Sequence, residues 1–175
     1  MADAEHIHLE LVTPDGVKLD EQVTEVTAPS VDGEFGVLPG HRPLLAALKT
    51  GIVTYKRDGE THRVAVGAGF VEVADDEALI LTDHFMREGD VDPVRARLEL
   101  KEADQALAAF EGDPASPEYA ELVERELWAA ARLELYGDPP PPTVRREYQV
   151  FSREAYAELS HGEAGGEGDE RAPKH

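Results

Sequence analysis

His6-Ile7-His8-Leu9-Glu10-Leu11 alternates polar and apolar residues, and Pro14-Asp15-Gly16 follows before the chain resumes at Val17 and Leu19. A period of two puts Ile7, Leu9 and Leu11 on one face of an extended strand. Pro, Asp and Gly in succession favour a tight reversal, so the segment predicts a β-hairpin. The pattern continues downstream. Apolar runs at residues 23–26, 35–38, 52–55, 64–66, 70–73 and 79–81 are separated by Gly, Pro and Asp. Between Tyr55 and Val64, Asp58-Gly59 supplies the pair that takes φ > 0 in a two-residue hairpin turn. Many short strands without an intervening helix predict a sandwich or barrel over residues 7–83.

Past residue 90 the period changes. Ala96, Leu100, Ala103, Leu107 and Phe110 step by four and three, which places them on one helical face. Asp92-Pro93 starts that helix, because the carboxylate caps free amides and proline at the first position loses no hydrogen bond. Gly112, Pro114 and Pro117 break it, and Ser116-Pro117 repeats the start signal. A second helix carries Tyr119, Val123, Leu127, Ala130 and Leu133 on one side. Two such helices joined by a short loop predict an antiparallel hairpin whose alanine-rich stripes bury little area, so it should open readily. Four prolines, Pro139 to Pro142, then favour an extended segment. A short helix over residues 145–159 and a disordered Gly/Glu-rich end over 162–175 complete the expected order. The expected division is a sandwich over 1–86, a hairpin over 87–137 and a largely disordered or extended tail over 138–175.

The 175 residues hold 17 Lys and Arg against 37 Asp and Glu, a net charge of −20, and no cysteine. Such a surface repels polyanions, so nucleic acid is not expected as a partner. Disulfides, thiolate zinc sites and thiol nucleophiles are excluded. No apolar stretch approaches the roughly 20 residues of a membrane helix, and the acidic first ten residues do not suit a signal or transit peptide. Phosphate-loop, zinc-protease and hydrolase-elbow motifs are missing. Gly67-Ala68-Gly69 reads as a bend between strands, and Asp75-Asp76-Glu77 as an exposed turn. His6 and His8 lack a third ligand, so no metal is expected. The run from Gly33 through Leu44 predicts a rigid Gly/Pro loop presenting Glu34, His41 and Arg42 to a partner. At Val91-Asp92-Pro93-Val94-Arg95-Ala96, Asp92 reads as a cap and Arg95 as a solvated side chain, although an arginine one turn into a helix also suits a phosphate.

Taken together, Gly33-Glu34-Phe35-Gly36-Val37-Leu38-Pro39-Gly40-His41-Arg42-Pro43-Leu44-Leu45, Gly51-Ile52-Val53, Gly67-Ala68-Gly69-Phe70-Val71-Glu72-Val73, the Asp92 helix start and Tyr119-Ala120-Glu121-Leu122 resemble the epsilon subunits of F-type ATP synthase. These are small regulatory subunits of the central rotor stalk. The resemblance covers about residues 5–136. It implies a ten-stranded β-sandwich and a C-terminal helical hairpin. It also implies a non-catalytic role, in which the sandwich binds the gamma subunit and sits on the c ring, coupling rotation to ATP synthesis. The segment with Glu34, Phe35, Gly36, Pro39, Gly40 and His41 matches the family loop facing the c ring. The hairpin is implied to switch between a compact state and an extended one that reaches the alpha and beta subunits and inhibits hydrolysis. No cofactor is implied as required. Asp92, Arg95, Ala96 and Arg132 match residues that hold a regulatory ATP in some members, whereas Trp128 stands where a second-helix arginine is expected.

Strong inhibitors in the family use a basic second helix, but here Arg125 and Arg132 are outnumbered by Glu118, Glu121, Glu124, Glu126 and Glu134. Arg145, Arg146 and Arg153 of the tail are candidates for the missing positive charge. The implied location is the cytoplasmic side of a bacterial inner membrane, peripheral and reached only through the complex. Two rivals make different predictions. A free-standing β-sandwich ligand-binding module with a helical dimerisation hairpin predicts a symmetric homodimer. A hydrolase with paired carboxylates predicts turnover by the purified chain.

Overall fold

The computed structural model describes residues 6–140, in which ten strands precede two long helices. β1 (Ile7–Thr13) turns through Pro14-Asp15 into β2 (Gly16–Val23), the hairpin that the opening alternation predicts. There follow β3 (Glu25–Ser30), β4 (Gly33–Val37), β5 (Leu44–Leu48), β6 (Gly51–Arg57), β7 (Glu60–Val66), β8 (Gly69–Ala74), β9 (Glu77–Thr82) and β10 (Phe85–Arg87). Their order in the sheet is β10-β7-β6-β3-β5-β8-β9-β1-β2, with β4 paired to β3. All pairings are antiparallel except β1 with β9.

The sheet folds over a single core of Ile7, Leu9, Leu11, Val26, Val53, Val71, Ile80 and their neighbours. Every second residue of β1 is buried, as period two requires. The two end strands of the sheet order, β10 and β2, approach each other. Arg87 Nη2 of β10 donates to the Lys18 carbonyl of β2 at 2.7 Å, and Arg57 of β6 pairs with Glu21 of β2 at 2.8 Å. Side chains thus occupy edges that would otherwise offer unpaired backbone to another chain. Gly69 is required by crowding, since a Cβ there would lie 1.8 Å from the Leu81 carbonyl oxygen. Asp58-Gly59 forms the β6–β7 turn with φ of 53° and 79°.

Two expectations need correction. Residues 23–26 are not one strand, because the chain bends at Thr24 between β2 and β3, where the Thr24 N–H donates to the Lys56 carbonyl at 2.8 Å. Residues 33–44 are not one loop. Gly33–Val37 pairs with β3, and an unpredicted strand starts at Leu44, leaving only 38–43 between them. The short β10 was likewise not expected.

A one-turn 3₁₀ helix at Glu88–Asp90 leads to α1 (Pro93–Ala108) and α2 (Pro117–Tyr136). The caps are those that the sequence predicts. The Asp92 carboxylate accepts the N–H groups of Val94 and Arg95 at 3.1 and 3.0 Å, and the Ser116 hydroxyl accepts that of Tyr119. Phe110, two residues beyond α1, packs on Tyr119 in the first turn of α2, with ring centroids 5.2 Å apart, and the helices run antiparallel. Ala96, Ala103 and Leu107 of the expected α1 stripe are buried.

The single stripe expected for α2 is incomplete. Val123 and Leu133 are buried, but so are Ala129, Ala131 and Leu135. Ala131 and Leu135 pack with Ala65, Ile52, Met86 and Trp128, so α2 lies between α1 and the β6–β7 face. A helix covered on two sides must be apolar on two sides. Among the described residues, sheet and helices belong to one compact unit. The expectations for the tail, including Arg145, Arg146 and Arg153, lie outside the described residues.

Candidate functional site

Three arrangements carry chemistry. The first is the turn after β4. The Leu38 carbonyl accepts the His41 N–H at 3.0 Å, with Pro39 and Gly40 between. Gly40 has φ of 77°, which makes this a type II turn in which proline presets the second position and glycine takes the left-handed third. The Gly40 N–H donates to Asp76 Oδ1 at 2.6 Å, and His41 Nδ1 donates to its neighbour, the Arg42 carbonyl, at 2.7 Å. Pro39, Gly40 and His41 are therefore brought together in one constrained turn. Glu34, Phe35 and Gly36 are not part of it. They lie on β4, and Glu34, opposite Pro29, sits at the other end of that strand beside the β3–β4 reversal. Glu34 and Gly36 are exposed, while Phe35 packs against the core.

The second arrangement joins the helices. Glu99 Oε1 accepts from Arg95 Nε at 2.7 Å, and Glu99 Oε2 accepts from Arg132 Nη2 of α2. Arg132 Nε also donates to the Trp128 carbonyl at 3.2 Å, and its guanidinium lies 5.4 Å from the centre of the Trp128 ring. Burial pushes the Glu99 carboxyl up, but the hydrogen bonds and charges of Arg132 and Arg95 outweigh it, so its pKa falls below the ordinary glutamate value. Arg95 and Arg132 are thus brought together, as the resemblance implies, but around an internal carboxylate that the sequence did not single out. Arg95 and Glu99 are four apart on a helix, a spacing that signals a pair. Asp92 is engaged in capping, and Ala96 is buried.

The third arrangement is on the outer face of the sheet. Ala47 pairs with Phe70, Phe70 with Leu81, Leu81 with Val12 and Val12 with Val17. One row of apolar side chains therefore crosses β5, β8, β9, β1 and β2. Phe70 is 59% exposed, Val17 56% and Leu81 46%. The row borders a cleft of about 600 Å³ that Val12, Phe70 and Leu81 help to line. Large aligned side chains left in water on a sheet exterior mark a contact surface.

The ATP synthase delta/epsilon chain beta-sandwich domain model matches residues 6–88. The ATP synthase epsilon chain of Nitratidesulfovibrio vulgaris strain DP4 is 49% identical over 102 residues, which is 58% of this chain and 76% of that one. The ATP synthase epsilon chain 2 of Syntrophotalea carbinolica is 37% identical over 134 residues, covering 77% of this chain and 96% of that one. Among solved structures, a chain of the Euglena gracilis mitochondrial ATP synthase (OSCP/F1/c-ring) has the same fold. It superposes with a TM-score of 0.57 at 24% identity, over 79% of this chain and 81% of that one. With nearly the whole of one relative covered and the sandwich matched throughout, the chain belongs to the ATP synthase epsilon chain family, the small central-stalk subunits of the rotary synthase.

Proposed function

We propose that the chain is a non-catalytic rotor subunit that couples turning of the c ring to ATP synthesis in the catalytic head. The observation that carries this is the apolar row through Phe70 and Leu81, which suits a permanent partner. The gamma subunit takes that face, and the type II turn at Pro39-Gly40-His41 meets the c ring. A turn held in one conformation transmits torque without dissipating it. Membrane association is through the complex, on the cytoplasmic side of a bacterial inner membrane. No described helix is long and apolar enough to cross a membrane. Replacing Phe70 by Glu should leave the fold intact and weaken retention on a head containing gamma by about 100-fold, since a central apolar anchor is worth roughly 2–3 kcal/mol. Co-elution at stoichiometric concentration checks it, and undiminished retention would remove the gamma assignment.

The hairpin is the regulatory element, compact here and reaching alpha and beta only when it leaves the sheet. No cofactor is required. A regulatory ATP at Asp92, Arg95, Ala96 and Arg132 does not fit the cluster as it is arranged, because its phosphates would have to displace Glu99 from both guanidiniums. ATP is accordingly at most a weak ligand. The dimerisation rival is disfavoured by α2, whose apolar sides are already covered by α1 and by the β6–β7 face.

A further inference from the structure

We propose that Asp76 is a positioning residue that holds the Pro39-Gly40-His41 turn in place for coupling, an inference that rests on reading that turn as the c-ring contact. Asp75-Asp76 is the two-residue connection between β8 and β9, and the two residues have φ of 50° and 60°. Turns of this hand favour glycine at the second position, where a side chain is strained. An aspartate stands there, and its carboxylate accepts the Gly40 N–H at 2.6 Å across 36 residues of sequence. The carbonyl of the same residue accepts the His8 N–H at 2.8 Å, at the start of β1. One strained residue therefore ties together the first strand, the β8–β9 turn and the turn after β4.

The other hydrogen bonds of that turn, from the His41 N–H to Leu38 and from His41 Nδ1 to Arg42, stay within residues 38–42. Leu38, Arg42 and Pro43 are exposed, so they add little packing to hold it. Gly40 has no side chain of its own. Between β4 and β5, Asp76 supplies the hydrogen bond that ties the tip of the turn to another part of the sandwich, and it does so from a residue with φ of 60°.

The test compares Asp76→Gly and Asp76→Asn in the full chain. One readout is amide exchange over residues 38–42, and the other is ATP-driven proton pumping per ATP hydrolysed in a reconstituted synthase. Glycine relieves the backbone strain, so D76G should melt no lower than the parent while the Gly40 amide exchanges about tenfold faster. Pumping should fall at unchanged hydrolysis. Asparagine keeps an oxygen that accepts the amide, so D76N should restore slow exchange and pumping together. Unchanged Gly40 exchange in D76G overturns the inference whatever the turn touches. Faster exchange with full pumping also overturns it, and a double variant His41→Glu with Arg42→Glu locates the fault. Full pumping there too means that the turn is not the c-ring contact, whereas lost pumping there means that only the role of Asp76 was wrong.

Discussion

Glu99 decides how the helices are held. It accepts from Arg95 on its own helix and from Arg132 on the next, so its charge is shared between two elements. Because its folded pKa is depressed, its contribution to stability is complete above the ordinary glutamate value and is lost as pH falls through the folded value. Glu99→Gln should therefore destabilise by about 1 kcal/mol at neutral pH, a figure reduced for partial exposure, and the difference should vanish in acid. Thermal melts of both proteins across pH check this. The same substitution frees Arg95 and Arg132 and should tighten ATP binding in a calorimetric titration. Arg95 and Arg132 were recognisable from the family motif, but their shared partner was not. One glutamate among 37 acidic residues carries no mark of its own beyond the spacing of four from Arg95.

At the scale of elements, strands with strict alternation and helices with cap residues were legible. Ile7, Leu9 and Leu11 announce β1 because one side of it faces the core, and Asp92 and Ser116 announce the helices because their side chains bond the free amides. β5 was missed because Leu44-Leu45-Ala46-Ala47-Leu48 does not alternate and follows a Gly/Pro segment. β10 was missed because three residues show no period, although they pair with Val64, Ala65 and Val66. The second buried side of α2 was missed because the sheet that covers it is brought there only by the fold. That side makes a clean prediction. Leu135→Ala should cost about 2–4 kcal/mol, since Leu135 is fully buried against Ala65, while Leu127→Ala, on the expected stripe but only half-buried, should cost no more than about 1.5 kcal/mol. Urea unfolding of the two variants distinguishes them.

For the whole molecule, the apolar row was illegible for a related reason. Val12, Val17, Ala47, Phe70 and Leu81 are scattered in sequence and become neighbours only through the registers of five strands. On a chain with a net charge of −20, this row is a place where a partner gains by excluding water. The fold also settles where the hairpin can be removed. A chain ending at Met86 would cut β10 and lose the Arg87 contact to Lys18, whereas one ending at Asp90 keeps both. The coupling role is tested most directly by ATP-driven proton pumping in vesicles carrying a synthase that lacks this subunit, with the full chain or the form ending at Asp90 added back. Both forms should restore pumping per ATP hydrolysed, with the contacts of the sandwich sufficient for it. Pumping that stays the same with and without either form, while both remain bound to the head, would contradict the account.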